Sequence, residues 1–244
     1  MYVPIKECRI RVCLYANDEV YKAMKPALVA VISTFLLIFT PMSLHATTAS
    51  TDPNSYFYPA DSKPFGKSYP EWAAAWWKFV LEYPVKDARL TDPDGSLCAV
   101  NQTGNVWILP GAESGEIVRS CVVPEGVSLL ISPTDTFCNK QQQPSVGDNE
   151  AEIRKCVKAD LDEDEYSHTY LDGVQLSNLH DVNRLQSVLF DLYYPPNEGP
   201  YKTVADGVYL MLKPLSPGNH TLVQEAGAPS QDWHYKVTYN LQVK

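Results

Sequence analysis

Trp233-His234-Tyr235-Lys236-Val237-Thr238-Tyr239-Asn240-Leu241-Gln242-Val243-Lys244 closes the chain. Trp233, Tyr235, Val237, Tyr239, Leu241 and Val243 are apolar, and every residue between them is polar. Successive side chains of a strand point to opposite faces, so this alternation predicts an antiparallel strand with one face in a core.

Upstream, the same logic finds more strands separated by turn residues. Pro217-Gly218 leads into 219–224. Asp206-Gly207 lies between the β-rich runs 202–205 and 208–213, and Asp172-Gly173 between 168–171 and 174–176. Both Asp-Gly pairs read as hairpin turns. Residues 188–194 form another run, ended by Pro195-Pro196. Earlier, 97–100, 105–109, 117–123 and 127–132 are short runs punctuated by Gly104, Pro110-Gly111, Gly115 and Pro124-Glu125-Gly126.

Two segments have helical rather than alternating period. Ser68-Tyr69-Pro70-Glu71 matches a capping box, with proline tolerated in the first turn. Trp72, Trp76, Phe79, Val80 and Tyr83 share one face, and Pro84 stops the helix. Trp77 and Leu81 fall on the flank of that face. The second helix covers 149–160, with Ile153, Cys156, Val157 and Leu161 inward and Glu150–Arg154 as an i,i+4 pair. Residues 139–148 between them read as an exposed loop. The expected fold is therefore mainly β: an antiparallel β-sandwich, jelly-roll or immunoglobulin-like, with two inserted α-helices near 69–83 and 149–160. One domain spans 68–244, behind an extended lead-in at 47–67.

The N-terminal portion carries a different signal. Between Lys25 and Asp52 there is no charged residue, and 27–40 is almost entirely apolar. Lys25 before it, and the small residues around Ala46 and Ala49 after it, give the three-part pattern of a secretory signal peptide over 24–46. Cleavage after Ala46 or after Ala49 fits. Residues 1–23 read as an extension upstream of the true start at Met24. The competing reading is an uncleaved anchor, because 27–44 reaches the lower limit for spanning a bilayer. A membrane is a partner only in that case, and otherwise the chain is secreted, periplasmic or cell-surface.

Cysteine usage agrees with export. Cys8 and Cys13 precede the signal, leaving Cys98, Cys121, Cys138 and Cys156. An even set in an exported chain reads as two disulfides. Three pairings exist; Cys98–Cys121 with Cys138–Cys156 is favoured because each joins neighbouring elements. Zinc needs short C-x2-C knuckles, which these spacings lack.

Lys plus Arg total 20 and Asp plus Glu total 29, for a net charge of −9. A nucleic-acid partner needs concentrated positive charge, so that class is excluded.

Tyr69, Glu71-Trp72, Trp76-Trp77, Pro84, Cys98, Trp107 and Cys121, closed by Asp206-Gly207, Pro217-Gly218-x-His220-Thr221 and Val237-Thr238-Tyr239-Asn240, resemble a group of uncharacterised secreted microbial proteins. The closing pattern also resembles the last strands of extracellular immunoglobulin-like sandwiches. The resemblance covers most of 65–244. It implies export and a β-sandwich, and it brings no catalytic residue.

Chemistry-bearing motifs are sparse. Gly111-Ala112-Glu113-Ser114-Gly115 has its serine in the wrong place for a hydrolase elbow and reads as a turn. No Walker loop, G-x-G-x-x-G or H-E-x-x-H occurs, and no cofactor is expected beyond a weak Ca²⁺ site. Asp92 and Asp94, flanking Pro93 and followed by Gly95, are the candidate ligands for that ion, against a plain β-turn. The acidic run Asp160, Asp162, Glu163, Asp164 and Glu165 reads as a solvated helix end. His180-Asp181 reads as a loop rather than a metal or acid–base pair, and His220 and His234 as turn or surface residues. Of the tryptophans, Trp77 is the candidate for an exposed platform that stacks on a sugar. The expected function is an extracellular binding or surface-interaction module, carbohydrate being the named ligand. The alternatives are a secreted hydrolase with dispersed carboxylates such as Glu71 or Asp191, and a structural envelope protein.

Overall fold

The computed structural model describes residues 53–82, 89–178, 183–193 and 199–244. The expected signal segment, Pro84 and His180-Asp181 lie outside the described residues. Two mixed sheets form the sandwich. One runs β1(Val106–Leu109), β3(Ser128–Cys138), β8(Tyr201–Leu212) and β6(Arg184–Gln186), with β7(Phe190–Leu192) also on β8. The other runs β2(Gly115–Val123), β10(Trp233–Val243), β9(Gly218–Ala228), β4(Tyr166–Leu171) and β5(Val174–Asn178). The interior pairings are antiparallel, as expected. The edge strands β1 and β2 instead pair parallel to β3 and β10. The chain alternates between sheets from β1 to β3, and such a crossover returns the strand parallel.

β10 behaves as its sequence dictates, burying Tyr235, Val237, Tyr239, Leu241 and Val243 against the other sheet. β3 and β8 do not alternate, because they are covered on both faces. Leu129, Ile131, Val208, Leu210 and Leu212 fill the space between the sheets. Leu130, Tyr209 and Met211 face the helix α1(Tyr69–Leu81) on the opposite side. At the far end of the same strands, Cys138 and Val204 pack on Ile153 and Val157 of the helix α2(Glu150–Leu161). The helices thus act as covering layers of a two-faced sheet. The Glu71 carboxylate closes the start of α1 by accepting the Ser68 N–H and hydroxyl, each at 2.7 Å. The lead-in is more than an extended arm: Phe57 bridges Leu212 and enters the inter-sheet core.

Both favoured disulfides form, Cys98–Cys121 and Cys138–Cys156, with Cα atoms 5.9 and 6.2 Å apart. Three local readings need correction. Residues 97–100 are turns, with Cys98 tied to β2 rather than carried on a strand of its own. The segment 139–148 is not wholly exposed: Asn139 is buried and accepts the N–H groups of Gln141 and Gln142 through its side chain. Asp206-Gly207 is no hairpin turn but the middle of β8. β3 bulges between Ile131 and Thr134. Ser132 and Pro133 stand there opposite the single residue Tyr209, and Pro133 lacks an N–H for the ladder. Just beyond the bulge β3 approaches β8 so closely that a Cβ on Gly207 would collide with Asp135 and Thr134. The glycine serves close approach rather than a turn.

Gly207→Ala is therefore expected to destabilise the protein by about 1–3 kcal/mol, as overpacking does. Urea unfolding measures it, and a loss below about 0.5 kcal/mol would refute the close-approach reading.

Candidate functional site

The bulge re-aims β3 where β1 has ended, and a half-open cleft lies there. The pairing of β1 stops at Ile131, so among the described strands only β8 flanks the remainder of β3. The cleft, a cavity of about 90 Å³, is lined from four directions. The bulge supplies Ser132, Thr134 and Asp135; α1 supplies Trp76 and Trp77; the end of α2 and the connection after it supply Asp160 and Asp164; β10 and the 111–113 segment supply Trp233, Tyr235 and Glu113.

A buried cation holds the 111–113 segment in place. Arg119 points inward from β2 and is fully buried. Its guanidinium donates to the carbonyls of Leu90 (3.0 Å), Asp92 (2.8 Å), Pro110 (3.0 Å) and Gly111 (2.9 Å), and to the Tyr239 phenol oxygen (2.9 Å). Trp233 Nε1 donates to the Glu113 carbonyl at 2.9 Å, fixing the other end of the segment. The Tyr235 hydroxyl donates to the carbonyl of Pro133 in the bulge.

The polar groups of the cleft are partly satisfied. Trp77 Nε1 donates to the Tyr209 hydroxyl (3.1 Å), which donates to Asp135 (3.3 Å). Thr136 donates to Asp160 at 2.7 Å, and Thr134 to Asp164. Three enclosed atoms have no partner: Trp76 Nε1, Glu113 Oε1 and Gln142 Oε1. All three belong to residues that line this cleft. Buried polar atoms are ordinarily paired, so an orphan donor and two orphan acceptors on residues of one cleft make it the candidate binding site. Burial pushes the carboxyl of Glu113 above its ordinary range. Burial likewise drives Asp135 well above it, against the opposing bonds from Tyr209 and Ser132. Raised carboxyls grouped in a cleft are a recurrent mark of functional sites.

The residues singled out in the sequence fare differently. Trp77 is 3% exposed and packs on Phe137 with ring centroids 4.5 Å apart, so it is a wall of the cleft rather than an exposed platform. Its flank of α1 is covered because Leu90 and Phe137 close over it. Asp92 is buried and spends its carboxylate on the N–H groups of Asp94 (3.3 Å), Gly95 (3.0 Å) and Leu97 (3.1 Å), while Asp94 accepts from Ser96 N at 2.9 Å. That is turn chemistry, and among the described residues no group of three His, Cys, Asp or Glu could hold a metal. Glu71 caps α1, and Asp191 pairs with Lys202 at 2.8 Å; neither lines the cleft. The acidic run is not simply solvated: Asp160 and Asp164 enter the cleft and Asp162 pairs with Arg184 at 2.7 Å. His220 clamps the β4–β5 turn, its Nδ1 2.6 Å from Asp172 and its Nε2 2.9 Å from the Ser216 carbonyl. Burial lowers its pKa, but Asp172 and Ser216 together outweigh this and raise it. Sequence reasoning missed Glu113, dismissed with the failed elbow, and Arg119, whose signal was a cation at an inward register of β2.

Arg119→Met is expected to cost about 3 kcal/mol or more, because it strands several interior carbonyls; chemical denaturation reads this, and a loss under 1 kcal/mol would contradict the assignment. For Asp135 the sign follows from its raised folded-state pKa: its contribution to stability is complete below the unfolded value, about pH 4, and is lost as pH rises through the folded value. Asp135→Asn is therefore expected to be more stable than the parent at pH 7 and to lose less stability between pH 4 and 7. Parallel stability–pH curves for the two proteins would rule this out.

No family model matches the chain, and no curated protein matches it significantly. Among solved structures, the chain is similar at 10% identity to "Structure of PbICP-C in complex with falcipain-2", covering 58% of this chain and 100% of that one with a TM-score of 0.24. A superposition of that quality carries no inference about fold, partner or activity.

Proposed function

We propose that this chain is an exported, disulfide-stapled binding module whose cleft at the β3 bulge takes a carbohydrate. The observation that carries the reading is the convergence, in one cleft, of indole and phenol rings with unpartnered hydrogen-bonding atoms of both kinds: Trp76, Trp77, Trp233 and Tyr235 beside the orphan Trp76 Nε1, Glu113 Oε1 and Gln142 Oε1. A sugar presents apolar C–H faces to rings, and hydroxyls that both donate and accept. Export is supported by the two disulfides, which persist in oxidising compartments, and by the apolar stretch at 27–40. Among the described residues no helix is long and apolar enough to cross a membrane. A second reading, glycoside hydrolysis, is favoured by two carboxyls lining one cleft, Glu113 and Asp135, each raised by burial in the direction a general acid needs.

A glycan array followed by calorimetry on the oxidised protein tests the proposal. Gln142→Ala is expected to weaken binding roughly five- to tenfold while leaving the unfolding midpoint unchanged. Absence of binding to any saccharide counts against the carbohydrate reading. Release of nitrophenol from aryl glycosides, abolished by Glu113→Gln, would establish the enzyme instead.

A further inference from the structure

We propose that the sugar is positively charged: the cleft recognises an amino sugar, its ammonium group seated at Glu113 and Asp135. This inference rests on the carbohydrate reading above and names the class within it.

The argument begins with what lines the cleft. Among the described lining residues there is no Lys, Arg or His. Asp135 has hydroxyl partners, Tyr209 and Ser132, and no cation. Glu113 has an enclosed Oε1 with no partner. Several basic side chains elsewhere are engaged with other acids: Arg154 with Glu150, Lys158 with Asp162, Arg184 with Asp162 and Asp206, and Lys202 with Asp191. Carboxyls held in a partly dry cleft lined by four acids and no base oppose their own ionisation, and an entering cation removes that penalty. Burial raising both groups is consistent with it.

Charge alone does not choose the ligand. A lysine or arginine side chain brings donors and no acceptor. Trp76 is 1% exposed, and its indole N–H meets no acceptor. The complement of this wall must therefore accept as well as donate. Glu113 Oε1 and Gln142 Oε1 need donors, and Trp76 Nε1 needs an acceptor. An amino sugar supplies all three roles on one small ring, with ammonium and hydroxyl hydrogens for the oxygens and a hydroxyl or ether oxygen for the indole. The part-exposed ring of Trp233 favours both its C–H surface and its cation. A neutral sugar leaves the acids of the cleft uncompensated, and a uronic acid adds like charge.

The test is calorimetric titration of the full oxidised chain with glucosamine, glucose, N-acetylglucosamine, glucuronate and lysine amide. Glucosamine is expected to bind about tenfold or more tightly than glucose and N-acetylglucosamine, with affinity falling as salt rises, and glucuronate not to bind. Glu113→Gln and Asp135→Asn should each erase most of that advantage, while Glu116→Gln, on the exposed face of β2, leaves it intact. Unfolding midpoints confirm that each variant is folded. Equal binding of glucose and glucosamine overturns the charge inference and leaves the carbohydrate reading standing. Lysine amide binding as tightly as glucosamine overturns the carbohydrate reading. Binding of none overturns both.

Discussion

The guanidinium of Arg119 is the interaction on which the cleft depends. A charge taken out of water must be repaid by well-placed partners. Here the partners are main-chain carbonyls from two separate segments, near residues 90–92 and 110–111, together with the phenol of Tyr239 on a neighbouring strand. Irregular chain buried beside a sheet carries carbonyls that no ladder satisfies. One rigid, many-handed donor satisfies them together and so fixes where both segments run. Cys121, two residues along the same inward face of β2, adds the covalent tie to Cys98. The segment bearing Glu113 is thereby held against β10 with little freedom to move.

Around that anchor the architecture follows from a shortage of exposed faces. β3 and β8 are apolar on both sides because one face meets the second sheet and the other meets α1, with α2 extending the cover at the strand ends. Such strands have no solvent side on which to place function. The bulge at Pro133 solves this by breaking the ladder where β1 ends, turning a seam of the packed sheet into an opening.

Much of this was legible locally. The alternation in β10, the Ser68–Glu71 cap, the β4–β5 hairpin and the pairing of the four cysteines depend on neighbours in sequence or on compartment chemistry, and each was readable. Asp206-Gly207 misled because the same dipeptide serves two needs. A turn wants glycine for its left-handed backbone, whereas β8 wants it for the missing Cβ beside β3, and only the distant strand distinguishes them. Trp77 was placed correctly on its helix face and wrongly in solvent, since what covers that flank comes from Leu90 and Phe137, remote in the chain. The cleft itself was illegible for the same reason: Glu113, Asp135, Gln142 and Asp160 meet only through strand register and helix packing.

The Asp92–Gly95 turn has a consequence beyond its own geometry. β2 is the rim of its sheet, a nine-residue strand with Val118 and Val122 facing solvent. An open rim of that length and character invites another chain to zip onto it. The turn lies against the middle of it: Ser120 N–H donates to the Asp94 carbonyl at 2.8 Å, and Gly95 sits so near Ser120 that no side chain would fit between. The turn thus covers the middle of this rim and takes up a ladder group onto which another strand could otherwise pair.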